Sequence, residues 1–110
     1  MIRTELKRGT AELAVLSVLE DSPLHGYEIG RRIEEQSGGT LRYTLAALYP
    51  LLYRMEHRGW LRGEWETGGT GKRRRRYHLL PKGRKMLKPL RAEWVGLFRA
   101  LRRVAKVTHA

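Results

Sequence analysis

Leu61-Arg62-Gly63-Glu64-Trp65-Glu66-Thr67-Gly68-Gly69-Thr70-Gly71-Lys72-Arg73-Arg74-Arg75-Arg76-Tyr77-His78-Leu79 is the stretch whose reading decides the fold. Leu61, Gly63 and Trp65 alternate with Arg62, Glu64 and Glu66, and Tyr77 and Leu79 alternate with Arg76 and His78. A period of two is the mark of a strand with one buried face. Between these pieces, Thr67 to Lys72 has the composition of a turn. The stretch therefore predicts a β-hairpin with a long tip, its core side carrying Leu61, Gly63 and Trp65.

Working outward, the residues before the hairpin have a helical period. The first helix is predicted from Thr10, a suitable N-cap preceded by Gly9, to about Glu20, with Leu13, Val15, Leu16, Val18 and Leu19 on a wide apolar face. Asp21-Ser22-Pro23 ends it, because proline cannot continue the hydrogen-bond ladder. A second helix follows from near His25-Gly26 to about Gln36, with Tyr27, Ile29 and Ile33 inward and Gly38-Gly39 as its stop. Thr40-Leu41-Arg42-Tyr43 is too short for a helix and reads as a brief extended strand. The third helix runs from its N-cap Thr44 to about Arg58. Leu45, Leu48, Leu52 and Met55 recur at three- and four-residue steps, and Pro50 removes one backbone bond and should bend the helix. Beyond the hairpin, a last helix is predicted from Pro81 to about Lys106, with a kink at Pro89. One stripe of it holds Leu90, Trp94, Leu97, Phe98, Leu101, Val104 and Ala105. The opposite face holds Arg91, Arg99, Arg102, Arg103 and Lys106.

The expected class is thus mainly α with a small β-hairpin: a winged helix-turn-helix followed by a long C-terminal dimerisation helix. Residues 1–80 form the winged-helix domain and residues 81–110 the dimerisation helix. In this order the third helix enters the major groove of DNA and the hairpin lies along the backbone or minor groove. A helix of about 25 residues spans roughly 37 Å, more than a domain of this size can cover, so its stripe is expected to pair with a second copy.

Charge points to the same kind of partner. Of the 110 residues, 23 are Lys or Arg and 11 are Asp or Glu, a net of +12. Residues 1–57 carry 7 basic and 8 acidic groups, whereas residues 58–110 carry 16 and 3, so the whole excess lies in the second half. A field so one-sided attracts a polyanion. There is no cysteine, which removes disulfides, thiolate metal sites and cysteine nucleophiles. The single Asp, Asp21, stands at a helix end, and no two of His25, His57, His78 and His109 have metal-ligand spacing. Gly68-Gly69-Thr70-Gly71-Lys72 fails as a phosphate loop, since Arg73 stands where Ser or Thr would hold magnesium. No enzyme activity, metal or cofactor is expected. The first nine residues lack the apolar core of a signal peptide and no run is long enough to cross a membrane, so a cytoplasmic protein is expected.

Two sets of residues carry the expected DNA contacts. Lys72, Arg73, Arg74, Arg75 and Arg76 on the wing suit phosphate oxygens, because guanidinium groups pair bidentately and stay charged. They give grip and register, with little sequence information. Readout falls to the free face of the third helix and the residue entering it: Tyr43, Thr44, Ala47, Tyr49, Pro50, Tyr53 and Arg54. Trp94, Leu97, Phe98 and Leu101 are assigned to the dimer interface or to a ligand pocket within it. The rival reading is a basic RNA-binding or assembly module. It lacks support because a hairpin has too few strands for an RNA-stacking platform.

The residues also resemble the PadR family of bacterial and archaeal transcriptional regulators. The resemblance lies in Gly9-Thr10-Ala11-Glu12-Leu13, Pro23-Leu24-His25-Gly26-Tyr27-Glu28-Ile29, Leu48-Tyr49-Pro50-Leu51-Leu52-Tyr53-Arg54-Met55-Glu56, Gly59-Trp60-Leu61, Arg74-Arg75-Arg76-Tyr77-His78-Leu79 and Lys82-Gly83-Arg84. It implies a repressor of the compact branch, dimeric through its first and last helices, bound to inverted repeats in promoters. It also implies a small hydrophobic effector, with Trp94 matching the aromatic that stacks such ligands. The sequence departs from the family pattern in having Ala46-Ala47 for Gly-Thr before Leu48, and Leu80 in place of a capping Thr.

Overall fold

The computed structural model describes residues 4–67 and 73–106, the first five of these as backbone. The elements in chain order are α1 (Thr4–Val18), β1 (Leu24–His25), α2 (Gly26–Gln36), α3 (Leu45–His57), β2 (Leu61–Thr67), β3 (Arg73–Leu79) and α4 (Pro81–Ala105). This is a mainly helical winged-helix architecture with a small antiparallel sheet and a long last helix. The molecule measures 54 × 27 × 23 Å.

Helix α1 begins earlier than Thr10. The residue expected as a cap lies within the helix, and its hydroxyl meets the Tyr43 hydroxyl at 2.6 Å. Gly9 is likewise helical. A Cβ there would come within 3.3 Å of the Trp94 ring, so the missing side chain lets α4 approach α1. The apolar side of α1, with Val15, Leu16 and Val18 buried, packs on α2 and α4.

Extended structure forms at Leu24–His25, and Thr40–Tyr43 is a loop instead of the strand its composition suggested. Leu24 pairs with Tyr77 and His25 with Arg76, giving a three-stranded sheet in the order β1-β3-β2. Two residues are too few to show a period, so this strand has no sequence signature. The loop after α2 finds a side-chain partner instead of a strand: the Leu41 amide donates to the Ser37 hydroxyl oxygen at 2.9 Å. Gly38 and Gly39, at φ of 62° and 84°, turn the chain there, a conformation that costs glycine little.

Thr44 caps α3, its hydroxyl oxygen accepting the Ala47 amide at 3.1 Å. The helix continues unbroken through Pro50. Its buried positions are Leu48, Leu51, Leu52 and Met55, so Leu51 takes the place expected of Leu45, which is 39% exposed. Leu45 sits in the first turn, past the edge of the core. The hairpin register places Gly63 opposite Tyr77 and Trp65 opposite Arg75. Alternation buries Leu61 and Tyr77 but not Trp65, which is 56% exposed. Instead of joining the core, the indole is met by the Arg73 and Arg75 guanidinium groups, 4.8 and 5.2 Å from its centroid.

Helix α4 opens with Pro81, whose missing N–H would have had no helical partner in any case. Leu80 precedes it without a side-chain cap, its carbonyl accepting the Arg84 amide at 2.9 Å. Gly83 lies on the backbone of Trp60 and Leu87 joins the core. The helix then continues unbroken past Pro89 and away from the core, leaving Leu97, Phe98, Leu101 and Val104 exposed, the last by 81%.

Two glycines of α4 should behave oppositely. A Cβ at Gly83 would lie 2.4 Å from the Trp60 carbonyl oxygen, whereas one at Gly96 meets nothing within 4 Å. Gly83→Ala is expected to lower stability by about 1–3 kcal/mol through overpacking. Gly96→Ala should raise it by about 0.5–1 kcal/mol through helix propensity. Urea midpoints of the two variants check both signs.

Candidate nucleic-acid interface

The exposed side of α3 and the wing meet across one cleft. Tyr49 contributes from α3, Gly26 and Tyr27 from the start of α2, and Trp65, Arg73 and Arg74 from the hairpin. Close packing makes this possible. A Cβ on Gly26 would stand 2.8 Å from the Tyr49 ring, and one on Gly30 would stand 3.1 Å from Leu48, so both glycines of α2 admit α3.

Along α3, Thr44, Ala47, Tyr49, Pro50, Tyr53 and Arg54 are all solvent-exposed, while Leu48, Leu51, Leu52 and Met55 anchor the other side. Tyr53 is 67% exposed and stacks on His57 with ring centroids 5.9 Å apart, which stiffens a side chain that would otherwise be free. Tyr43 stands apart from this set. It is half-buried against the core, and its hydroxyl is bonded to Thr10.

The arginine run divides into two pairs. Arg73 and Arg74 are exposed, and Arg73 lies 4.8 Å over the Trp65 ring. A cation on an indole face is held without losing its charge. Arg75 and Arg76 are half-buried and each is bound to a carboxylate. Arg75 donates to Glu56 from Nη2 at 2.6 Å and from Nε at 3.4 Å, and the same carboxylate accepts the Gly63 amide at 3.2 Å. Arg76 donates to Glu66 from Nε at 3.0 Å and from Nη2 at 3.1 Å. Lys72 lies outside the described residues.

A second cluster fixes the start of α2 to the wing. The backbone amide of His25 donates to Glu28 at 2.9 Å, its Nδ1 lies 2.8 Å from the same oxygen, and its Nε2 lies 2.6 Å from Glu66. The Arg76 guanidinium and then His25 hold the Glu66 carboxyl down at about 2. The His25 backbone N–H holds Glu28 below the usual carboxylate range. Contact with Glu56 raises the Arg75 pKa, and contact with Glu66 raises that of Arg76. Both guanidinium groups are therefore fully charged and already engaged.

The sequence reading missed His25, Tyr27, Glu56, Trp65 and Glu66 as members of this surface. Alternation within the hairpin could have placed Trp65 across from Arg75. Nothing local ties Glu56 to Arg75, 19 positions away, or His25 to Glu66, 41 positions away.

Apart from this cleft, Trp94, Leu97, Phe98 and Leu101 line an apolar hollow with Thr10, Ser37, Thr40 and Leu41. Its volume is about 480 Å³, and the Trp94 and Phe98 rings lie 5.6 Å apart at a tilt of 44°. Among the described residues, no cluster of His, Asp and Glu could hold a metal ion, and no helix is long and apolar enough to cross a membrane.

An exposed helix, an aromatic and basic wing, and the cleft between them define a DNA-binding regulator of the winged-helix class. The model of the transcriptional regulator PadR-like family matches residues 15–89, and the chain belongs to that family. A PadR family transcriptional regulator from Eggerthella lenta is 31% identical, with a TM-score of 0.79 over 94% of this chain and 88% of that one. A transcriptional regulator from Clostridium thermocellum is 25% identical, with a TM-score of 0.81 over 99% of this chain and 100% of that one. A 37.1 kDa protein in transposon TN4556 of Streptomyces fradiae is 38% identical over 82 residues, which are 74% of this chain and 22% of that protein. The chain thus corresponds to less than a quarter of that relative's length.

The lowered Glu66 pKa has a measurable consequence. Its ion pair contributes stability above the ordinary carboxylate range and loses it as pH falls through about 2. A carboxyl-detected NMR titration should give Glu66 the lowest midpoint among the glutamates. In Arg76→Ala that midpoint should rise toward 4.5 but stay below it, because His25 still holds the carboxylate.

Proposed function

We propose that this chain is a homodimeric repressor that binds an inverted repeat in promoter DNA and lets go when a small hydrophobic or aromatic molecule occupies the dimer centre. The observation that carries the reading is the shared cleft, where Tyr49 of α3 and Arg73 and Arg74 of the wing can reach one duplex together. Residues 1–80 grip the DNA and residues 81–110 join two copies.

In this reading, Thr44, Ala47, Tyr49, Pro50, Tyr53 and Arg54 meet base edges and the adjoining phosphates. Alanine at 47 leaves only a methyl group to offer a thymine, so Tyr49, Tyr53 and Arg54 carry most of the discrimination. Tyr43 acts from behind, holding the entry to α3 against α1 through Thr10. Arg73 and Arg74 face the sugar-phosphate backbone. Arg75 and Arg76 hold the wing in shape through Glu56 and Glu66.

Support for a dimer comes from the stripe of α4. Phe98 and Leu101 are more than half exposed on a helix that outruns its own core. Pairing such stripes about a two-fold axis presents two copies of α3 to two half-sites, and a symmetric operator follows from that geometry. The hollow beside Trp94 and Phe98 is of a size and apolarity that suit a flat aromatic molecule. Occupying it would alter how the two α4 helices meet, and with them the half-site spacing.

Two measurements test the proposal. Affinity for a duplex selected from a random pool should fall steeply with salt, and Arg73→Gln with Arg74→Gln should flatten the log–log slope by about 0.9 for each phosphate no longer neutralised. An unchanged slope would remove the wing from the interface. Light scattering should give twice the chain's 12.8 kDa. Phe98→Glu with Leu101→Glu should give the monomer mass; a monomer already in the parent protein would sink the dimer.

A further inference from the structure

We infer that the outer face of α4 is a second duplex-binding surface, by which the DNA-bound protein holds another segment of double-stranded DNA. The inference rests on the DNA-binding reading above and adds a site distinct from α3 and the wing.

At 3.6 residues per turn, Lys85, Lys88, Arg99, Arg102 and Arg103 fall within about 60° of one line along the helix, and Lys106 follows as its C-cap. All six are exposed, and none lies in an ion pair with a carboxylate among the described residues. Two further cations, Arg84 and Arg91, border this ridge and are directed at α1. Arg91 donates to the Glu20 carboxylate at 2.9 Å, and Arg84 lies 3.5 Å from the Glu20 carbonyl oxygen. The one acid of α4, Glu93, falls on another side of the helix, so no carboxylate of α4 itself stands on the ridge.

The placement separates this ridge from the first site. Helix α4 packs on α1, α1 on α2, and α2 on α3, and the ridge lies across α4 from Leu87 and Trp94, the residues that pack inward. From Lys85 to Lys106 the ridge runs about 31 Å, close to one turn of B-form DNA. Guanidinium and ammonium groups spread over that length, without carboxylate partners among the described residues, match a phosphate backbone, whose binding is driven by counterion release and needs no base readout. An anionic bilayer fits less well. A helix lying in a membrane surface buries its apolar face, and here Trp94 on that face is already packed at Gly9 of α1.

The test is capture of one duplex by another through the intact protein. The protein is loaded on an immobilised duplex, and a second, fluorescently labelled duplex of random sequence is offered. The parent protein should retain the second duplex. Lys88→Gln, Arg99→Gln, Arg102→Gln and Lys106→Gln together should cut that retention at least ten-fold while first-duplex affinity stays within about three-fold. Substituting Arg99→Lys and Arg102→Lys instead should preserve capture, since charge and not side-chain packing is at issue. Arg73→Gln with Arg74→Gln should weaken the first grip, which separates failure of the DNA-binding reading from failure of this one.

Second-duplex capture equal in the parent and the ridge variant would overturn the inference, since the two winged-helix units of a dimer would then account for it. Absence of capture by the parent would overturn it as well. So would ridge-dependent binding to an acidic protein or to phosphatidylglycerol vesicles without any capture of duplex.

Discussion

One carboxylate joins α3 to the wing. Glu56 lies near the end of α3, and its oxygens hold the Arg75 guanidinium of β3 and the Gly63 amide of β2. The helix and both strands of the wing are thereby fixed to one another at a single point. Gly63 is part of the arrangement, because a Cβ there would stand 2.4 Å from Arg75 Nε. Charge-assisted bonds of this kind are stronger than neutral ones and prefer a defined geometry. With the wing so fixed, the direction in which Arg73 and Arg74 leave the hairpin relative to Tyr49 and Tyr53 is set by the fold itself, and in the proposed function little ordering is left to be done on binding.

A division of labour among the cations follows. Four consecutive arginines look equivalent in the sequence, yet they stand at different distances along β3 from the core residue Tyr77, and their neighbours differ accordingly. Among the described residues, Arg75 and Arg76 meet carboxylates, while Arg73 and Arg74 do not. Part of the basic run is thus internal structure, and the field felt by a phosphate at the wing is smaller than a count of charges suggests.

Much of the architecture was legible in advance because it rests on periodic patterns. The three- and four-residue recurrence of Leu48, Leu52 and Met55, the alternation at Leu61 and Tyr77, and the long stripe of α4 each reflect burial that repeats along the chain. Features resting on single contacts were not legible. Strand β1 is two residues long and exists because Tyr77 and Arg76 lie beside it. Thr10 had the chemistry of a cap, but helix continues before it, and its hydroxyl serves Tyr43. Trp65 kept the alternation of a core residue after the core had ended. At the interface, the exposed residues of α3 could be named by subtracting the buried ones, whereas Glu56 and Glu66 could not, since their partners are brought near only by the folded chain.

The attachment of α4 has a mechanical consequence. Its base is seated at Gly83 and Leu87, and its far end stands about 27 Å beyond Leu87 at 1.5 Å per residue. Rotating such a rod by about 5° at its base carries its end through about 2 Å. The same ratio runs in reverse, so a displacement near Trp94 or Leu101 becomes a small change of angle at the Trp60 backbone, where α4 meets the turn between α3 and the wing. The helix is an arm as well as a contact surface, and Gly83 is its pivot.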